Sequence, residues 1–285
     1  MNTAERIWPA PAKLNLFLHV VGRRSDGYHL LQSVFRLIDC CDELHFTVRS
    51  DGLVRLAAPI EGVEESEELS VRAARLLQSH TGCAAGADIR VNKRIPMGGG
   101  LGGGSSDAAT ALIALNQLWG LHLDRAALSA LGLQLGADVP FFLYGSNAFA
   151  EGIGERLTRV ALEPAWYLVS TPPVQVPTSV VFTDPGLTRD AKIVTISSFS
   201  AGFCSNDLGN DLEPVVRRLY PIVGTYLDGL RRACGDGRLS GSGACVFAEF
   251  PTERAARSAL ADMPAGMRGF VAAGLERHPL AVPVP

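Results

Sequence analysis

Residues 96–107 form the stretch of this chain with the clearest potential for chemistry. They read Pro-Met-Gly-Gly-Gly-Leu-Gly-Gly-Gly-Ser-Ser-Asp, and six of the twelve are glycine. Because glycine has no Cβ atom, the backbone N–H groups of such a loop can turn towards a ligand. A helix behind the loop would add unpaired N–H donors and a partial positive charge. The stretch therefore predicts a cradle for an anion, and phosphate is the anion most often bound in this way.

The residues behind the glycines predict the helix that this cradle needs. Apolar residues recur at helical spacing over 108–118, and Gly120 stands where a helix C-terminus is expected. Ser105, Ser106 and Asp107 are residue types that favour an N-cap, so we expect them to begin the helix. The two hydroxyls could also donate to phosphate or help to hold Mg²⁺. A flexible linker is the alternative, but linkers are not usually pinned between a strand and a capped helix.

Two other phosphate-binding loops fit the sequence poorly. A Walker A loop needs a lysine directly after its last glycine, and none follows here. Gly98, Gly100 and Gly103 satisfy the dinucleotide-binding spacing, and Asp124 stands about twenty residues later. However, the segment before Asp124 is too short for a core strand. We therefore expect Asp124 to cap a helix that begins at Arg125.

Two ionisable residues outside the loop stand in settings that could do chemistry. Asp138 lies in the sequence Gly-Ala-Asp-Val-Pro-Phe-Phe, where a carboxylate is costly unless it has a partner or a function. A turn or N-cap aspartate is the simpler interpretation. Lys13 and Asn15 alternate with apolar residues in a predicted strand over 7–21. One face of that strand is therefore expected to meet something polar.

The composition describes an ordinary soluble globular protein. The chain has 285 residues, 47% of them hydrophobic, and a net charge of −3. Without a basic run we expect no nucleic-acid partner. We find no signal peptide and no apolar run long enough for a membrane span. The six cysteines include no C-x-x-C pair and indicate reduced thiols, so we expect a cytoplasmic protein.

Alternating strands and helices predict an α+β fold of two domains, which we place at residues 1–158 and 159–285. The first domain is expected to hold a strand over 28–35, a hairpin of 44–48 with 53–56, a helix over 70–80 and a strand over 87–91. The second is expected to hold strands over 166–170, 245–250 and 269–273, a helix over 252–263, and a second glycine loop at 239–244.

Four separated segments resemble the signature blocks of the GHMP kinases, the superfamily of galactokinase, homoserine kinase and mevalonate kinase. They are residues 11–16, 96–107, 136–140 and 239–243. Two more, 22–33 and 210–214, resemble members that act on a substrate carrying a cytidine diphosphate group. One block would be a weak signal, but the blocks occur in order and the resemblance spans nearly the whole chain.

This resemblance implies a two-domain α+β kinase with its active site in the interdomain cleft. It implies ATP-dependent phosphorylation of a tertiary 2-hydroxyl, a step of the non-mevalonate route to isoprenoid precursors, with ATP and Mg²⁺ as cofactors. The ATP-binding residues implied are those of the glycine loop: Pro96, Met97, Gly98, Gly99, Gly100, Leu101, Gly102, Gly103, Gly104, Ser105 and Ser106.

The catalytic residues that the resemblance implies are Lys13 and Asp138. A tertiary alcohol is a poor nucleophile, so a carboxylate that accepts its proton in the transition state would help. A nearby ammonium favours the ionised carboxylate and stabilises developing charge. Whether Lys13 reaches Asp138 is left open by the sequence.

The substrate residues implied are Tyr28, His29, Phe182, Asn15 and Thr178. Tyr28 and Phe182 would stack on the cytosine, a contact worth about 1–3 kcal/mol per base. The edge of His29 could select cytosine through its exocyclic amine. Asn15 and Thr178 would contact the erythritol and the diphosphate. The alternative is that both aromatic residues simply belong to the core.

Three questions stay open at this point. We assign no acidic ligand to the magnesium ion, which Ser105 or Ser106 and the phosphates would then coordinate. The protein could be a monomer or a homodimer. It could also be another GHMP kinase, acting on mevalonate, homoserine or a sugar, or a non-catalytic ligand sensor on the same fold.

Overall fold

The structure is a computed structural model that describes residues 6–196 and 209–280. Within these residues it contains ten strands and eight helices, which confirms the α+β fold. They are β1 Trp8–Arg23, β2 His29–Arg49, β3 Val54–Leu56, α1 Leu69–Thr81, β4 Gly86–Asn92, α2 Gly103–Leu118, α3 Arg125–Leu135, α4 Val139–Tyr144, β5 Ala148–Glu151, β6 Arg156–Arg159, β7 Trp166–Ser170, α5 Thr178–Thr183, α6 Glu213–Leu219, α7 Pro221–Cys234, β8 Arg238–Leu239, β9 Val246–Phe250, α8 Glu253–Ala261 and β10 Gly269–Leu275.

One continuous sheet links both halves of the chain. Its main path runs β3-β4-β2-β10-β7-β9-β8, while β1 and β5 also pair with β2 and β6 pairs with β5. The connection is β10, because Gly274 and Leu275 pair with β2 while residues 269–273 pair with β7. The C-terminal strand therefore returns to the N-terminal half of the molecule.

The predicted hairpin of 44–48 with 53–56 is wrong. Residues 44–48 are the end of the long strand β2, which pairs with β4, and β4 in turn pairs with the short strand β3 in parallel. The longer β4 carries the buried residues Ala87 and Ile89 and takes the position beside β2. The sequence around the predicted turn does not indicate that β4 lies between β2 and β3, because β4 lies about 30 residues further along the chain than β3.

The helix behind the glycine loop begins earlier than predicted. Its N-cap is Gly102, with φ of 73°, and no side chain caps it. Ser105, Ser106 and Asp107 are therefore inside the helix, so the expectation that they form its N-cap is wrong. The other caps agree with the sequence. Gly120 follows the C-terminus with φ of 65°, and the Asp124 carboxylate accepts from Ala127 N at 2.8 Å.

The apolar core is divided into separate clusters along the two halves of the chain. Helices α1 to α4 pack on the N-terminal half, where buried residues such as Leu77, Leu112 and Phe141 form one cluster. Helices α6 and α7 pack on the C-terminal half around Val216 and Leu227. Each buried aliphatic side chain contributes about 1.5–3 kcal/mol of transfer free energy. The two glycine loops emerge at the junction of these layers.

Candidate active site

The two glycine loops border a cleft with a cavity of about 460 Å³. The residues predicted to bind ATP line it from Pro96 to Ser105, whereas Ser106 is fully buried and lies outside the lining. Lys13, Asn15, Asp138, Thr178 and Phe182 also line the same cavity. Residues that are distant in sequence thus meet at one site.

The backbone of the first glycine loop depends on glycine. Gly98, Gly100 and Gly102 have φ values of 67°, 73° and 73°, in the left-handed region that other residues rarely adopt. A Cβ atom on Gly100 would also lie 2.2 Å from the carbonyl oxygen of Ser240 in the second loop. The two loops therefore pack so closely at Gly100 that no side chain fits between them.

Hydrogen bonds join the two glycine loops. Cys245 N donates to Gly99 O at 3.0 Å, and Ser240 Oγ donates to Gly100 O at 3.0 Å. The Asn210 amide donates to Leu239 O at 2.9 Å and to the carbonyl of Gly241 at 2.8 Å. Sequence reasoning assigned no function to Asn210, although it begins the segment 210–214 that carried part of the resemblance.

Lys13 and Asp138 form an ion pair in the cleft. The Lys13 Nζ atom lies 3.4 Å from Asp138 Oδ2, with side-chain exposures of 5% and 33%. Asp138 stands at the N-cap position of α4, but its side chain makes no capping hydrogen bond. Lys13 also donates its backbone N–H to Leu101 O in the glycine loop at 2.9 Å. The carboxylate is thus partly open to the cleft and has a cation beside it.

Asn15 and Ser33 direct the Lys13 ammonium. Lys13 Nζ donates to Asn15 Oδ1 at 2.5 Å, and Asn15 Nδ2 donates to Ser33 Oγ at 2.8 Å. Ser33 in turn donates to Phe17 O at 2.6 Å. Both polar atoms of the Asn15 side chain are therefore already engaged. Asn15 therefore holds the Lys13 side chain in place, and this does not depend on a contact with a substrate.

A buried charge cluster lies below the first glycine loop. Lys93 Nζ donates to Asp107 Oδ2 at 2.8 Å and also to Asp42, whose other oxygen accepts from Arg94 N at 2.5 Å and Ile95 N at 2.8 Å. Burial raises the pKa of Asp107 to about 8, and the Lys93 ammonium, which it shares with Asp42, offsets only part of that rise. Sequence reasoning missed this cluster, because Asp42 is remote in the chain.

Of the three residues implied in nucleobase binding, Phe182 lines the cavity, whereas Tyr28 and His29 are not among its lining residues. The rings of His29 and Phe182 have centroids 5.2 Å apart, and Arg189 Nε donates to His29 Nε2 at 3.0 Å. Burial, followed by the charges of Arg189 and Arg23, lowers the pKa of His29. Tyr28 is 59% exposed, which leaves its ring accessible to a ligand.

Thr178 stands where the second glycine loop meets α5. Its hydroxyl lies 2.8 Å from the hydroxyl of Ser242, and both residues line the cavity. The structure thus brings together Lys13, Asn15, Asp138, Thr178 and Phe182 with the glycine loop, and it sets His29 directly behind Phe182.

Comparisons with known proteins decide the family. The family model described as GHMP kinases N terminal domain matches residues 68–146, and the model described as GHMP kinases C terminal matches residues 196–269. This chain belongs to the GHMP kinases. As a member of that family it is an ATP-dependent phosphotransferase, and the glycine loop is the part of the cleft suited to the phosphates of ATP.

Relatives of this GHMP kinase match it over almost its entire length. A 4-diphosphocytidyl-2-C-methyl-D-erythritol kinase of Nitrosospira multiformis is 59% identical over 98% of this chain and 94% of its own. One of the same name from Thiobacillus denitrificans is 58% identical over 96% of each chain.

Solved structures show the same relationship. A crystal structure of 4-(cytidine 5'-diphospho)-2C-methyl-D-erythritol kinase has a TM-score of 0.81 and 36% identity, and covers 94% of this chain and 99% of that one. A homoserine kinase from Cytophaga hutchinsonii has a TM-score of 0.72 at 17% identity over 98% of this chain and 97% of its own, a likeness of fold alone. None of the helices in the described part of this GHMP kinase has the length and apolar character needed to cross a membrane.

Proposed function

We propose that this GHMP kinase transfers the γ-phosphate of ATP to the 2-hydroxyl of 4-diphosphocytidyl-2-C-methyl-D-erythritol. The products would be the 2-phosphate and ADP, in the non-mevalonate pathway of isoprenoid precursor synthesis. The proposal is supported by relatives named as kinases of that substrate, which are 53–59% identical over 96–99% of this chain.

The observation that carries the chemistry is the Lys13–Asp138 ion pair, 3.4 Å long, in the cavity lined by the glycine loop. Asp138 accepts the proton of the hydroxyl as its oxygen attacks the γ-phosphorus, while the bond to the leaving oxygen of ADP breaks. Lys13 lies beside this carboxylate and stabilises negative charge on the transferring group. General-base assistance of this kind is worth about 10² to 10⁴ in rate.

The glycine loop positions the triphosphate through its backbone N–H groups and the N-terminus of α2. Within the described residues no group of three or more His, Cys, Asp or Glu side chains could hold a metal. Mg²⁺ commonly keeps several waters and binds through phosphates with few protein ligands. Ser105, which lines the cleft, would be its protein ligand. When bound, Mg²⁺ would neutralise negative charge on the phosphates.

The cytidine end of the substrate is expected to bind at Tyr28, His29 and Phe182. An exposed tyrosine ring and a half-buried phenylalanine offer two faces for one base, and the buried imidazole offers an edge. Asn15 and Thr178 are expected to contact the erythritol and the diphosphate. A cytoplasmic location and a monomeric or homodimeric state stay predictions.

The test is ADP release with ATP and Mg²⁺ against 4-diphosphocytidyl-2-C-methyl-D-erythritol, mevalonate, homoserine and galactose. We expect turnover of the cytidyl substrate alone. Asp138→Asn is expected to lower kcat about 10² to 10⁴-fold. The matched control is Asp262→Asn, which changes an exposed aspartate next to α8 and is expected to keep the wild-type rate.

Other outcomes would redirect the assignment. Turnover of mevalonate, homoserine or galactose would move this protein to another branch of the family and reduce Tyr28 and His29 to structural residues. Binding of ATP without turnover of any substrate would favour a ligand sensor. An Asp138→Asn variant with the wild-type rate would reject Asp138 as the base.

A further inference from the structure

A second cavity, of about 440 Å³, shares none of its lining residues with the catalytic cleft. Helices α2, α3 and α4 and the segment that follows β10 border it, and we call it the α3 cavity. Its wall is mostly apolar and includes Ile113, Leu123, Leu128, Phe142, Leu143 and Leu280. Small-molecule sites usually have volumes of about 300–1,000 Å³, so the α3 cavity is large enough for a small organic ligand.

His278 is the buried polar residue of the α3 cavity. It is 3% exposed, and its backbone N–H donates to Gly145 O at 3.0 Å, which fixes it beside the end of α4. Its Nδ1 atom accepts a hydrogen bond from Leu280 N at 3.0 Å. Because an imidazole nitrogen that accepts a hydrogen bond carries no proton, the proton of the neutral ring is on Nε2.

The Nε2 atom of His278 is buried and has no hydrogen-bond partner among the residues that the structure describes. Burial lowers the pKa of His278 to about 4, so the ring is neutral near pH 7 and Nε2 is a donor. Leaving a buried donor unpaired is unfavourable. Since His278 lines the α3 cavity, an acceptor atom of a bound ligand would complete the hydrogen bonding of its ring.

The charge of the wall favours an anion. Arg125 lines the α3 cavity, and none of the described residues in this wall is an aspartate or a glutamate. The Arg125 Nη1 atom donates to Tyr144 O at 3.2 Å, which holds the guanidinium near the end of α4 that His278 also contacts. The wall thus combines apolar side chains with one positive charge and one buried donor.

We propose that the α3 cavity is a binding site for a small aliphatic carboxylate. The alkyl chain packs against the apolar wall, one carboxylate oxygen accepts the His278 Nε2–H, and Arg125 complements the negative charge. An ionised carboxylate only accepts hydrogen bonds, so it matches two donors without a conflict. This inference does not depend on which substrate the kinase phosphorylates.

The first test is calorimetry of the full-length protein with octanoate. Octan-1-ol has a chain of the same length without the charge and is expected to bind on the order of tenfold more weakly, whereas octylamine, a cation, should not bind. From butanoate to octanoate the affinity should rise about fourfold per CH₂ group, because each group buries more apolar surface. Equal affinity for the three eight-carbon probes, or no binding of octanoate, would overturn the proposal.

Two variants test the polar contacts. His278→Phe keeps a ring in place and removes the donor, while Arg125→Met removes the charge and keeps an unbranched side chain. Each is expected to weaken octanoate binding on the order of tenfold. Unchanged affinity in both variants would contradict the assignment.

The matched controls are His45→Phe and Arg254→Met. His45 is a buried histidine and Arg254 an exposed arginine, and neither lines the α3 cavity. Both control variants should bind octanoate as the wild type does. If they lose as much affinity as the cavity variants, octanoate binding does not depend on this cavity and the proposal fails.

Methyl NMR locates the ligand even if the His278 or Arg125 variant does not fold. Ile113 lines the α3 cavity, whereas Ile95 lines the catalytic cleft, and the spectra of Ile113→Val and Ile95→Val assign their signals. Octanoate at saturation should give intermolecular NOEs to the Ile113 methyl groups of the wild type and none to those of Ile95. NOEs to Ile95 alone, or to neither residue, would place octanoate outside the α3 cavity and overturn the proposal.

Discussion

At the scale of single residues, a chain of hydrogen bonds fixes the direction of the Lys13 ammonium. The chain of donors runs from Lys13 to Asn15, then to Ser33, and ends on the carbonyl of Phe17. Ser33 is 2% exposed, so no water replaces its hydroxyl easily. If Lys13 acts on the transferring group as we propose, an ammonium that is already held in place loses less entropy when the transition state forms.

Replacement of Ser33 by alanine tests this chain. The variant leaves the Asn15 amide without its acceptor, so the ammonium is less well aimed at Asp138. We expect kcat to fall about tenfold, KM for ATP to change little, and stability to fall by about 1 kcal/mol. Ser170→Ala is the control, because Ser170 is equally buried and loses a comparable bond to Arg268 O. It should lose similar stability and keep kcat; an equal loss of kcat would contradict the interpretation.

A second residue-scale prediction concerns pH. His278 is 3% exposed and burial lowers its pKa to about 4, below the ordinary value of 6.5. Because the unfolded chain binds this proton more readily, stability is lost as the pH falls from 6.5 through about 4. The slope from this group alone is at most about 1.4 kcal/mol per pH unit.

Denaturant titrations of the wild type and His278→Gln between pH 4 and 8 measure this contribution. The difference in unfolding free energy between the two proteins should shrink or reverse as the pH falls, since glutamine does not titrate. A difference that is constant over the whole range would show that His278 does not contribute.

At the scale of elements, the first glycine loop is held at both ends by one cluster. Asp42 of β2 accepts from Arg94 and Ile95 at the entrance of the loop, and Lys93 joins it to Asp107 in the first turns of α2. The loop between them needs left-handed backbone at three glycines. Rigid ends confine such a loop to the shape that faces the phosphates.

Lys93→Met should release this arrangement. It leaves the buried Asp42 and Asp107 side chains without their shared cation, and breaking a buried pair costs about 3–5 kcal/mol. We expect that loss near neutral pH, together with a higher KM for ATP. Adding Asp107→Asn removes one of the two buried acidic groups and should restore part of the stability. The control is Arg257→Met, which breaks an exposed pair with Glu253 and should change stability little.

Elements with strong local signals could be predicted, and those set by distant partners could not. The apolar spacing of α1 and the cap at Asp124 agree with the structure. The start of α2 does not, because three adjacent N-cap residue types compete and the loop geometry selects Gly102 instead. The place of β3 depends on β4, and the charge cluster depends on the register of β2. No local pattern encodes either.

At the scale of the whole molecule, the two halves share a strand. The predicted limit at 158/159 falls at the end of β6, yet β10 from the far end of the chain pairs with β2 of the first half. The signature blocks along the sequence locate the cleft residues, but they cannot show that β10 pairs with a strand of the first half. The relative position of the halves, and hence of Asp138 and Phe182 across the cleft, depends on how β10 fits between β2 and β7.

Gly274 is the residue on which that fit depends most. A Cβ atom there would lie 2.2 Å from Arg36 Nη2, and the Arg36 side chain is 2% exposed and bonded to Glu163 O at 3.2 Å, so it has little room to move. We expect Gly274→Ala to lower stability by about 1–3 kcal/mol through overpacking. Because β10 also spaces the two halves, KM for both ATP and the second substrate should rise.

The matched control for Gly274→Ala is Gly209→Ala, since a Cβ atom at Gly209 would meet no described atom within 4 Å. Thermal unfolding and steady-state kinetics of both variants measure the two effects. If Gly274→Ala is as stable as the wild type but has raised KM values, the substitution moves the two halves relative to each other without disturbing the packing within them. Wild-type stability and kinetics would contradict the coupling, because they would require Arg36 to leave its buried position at no cost.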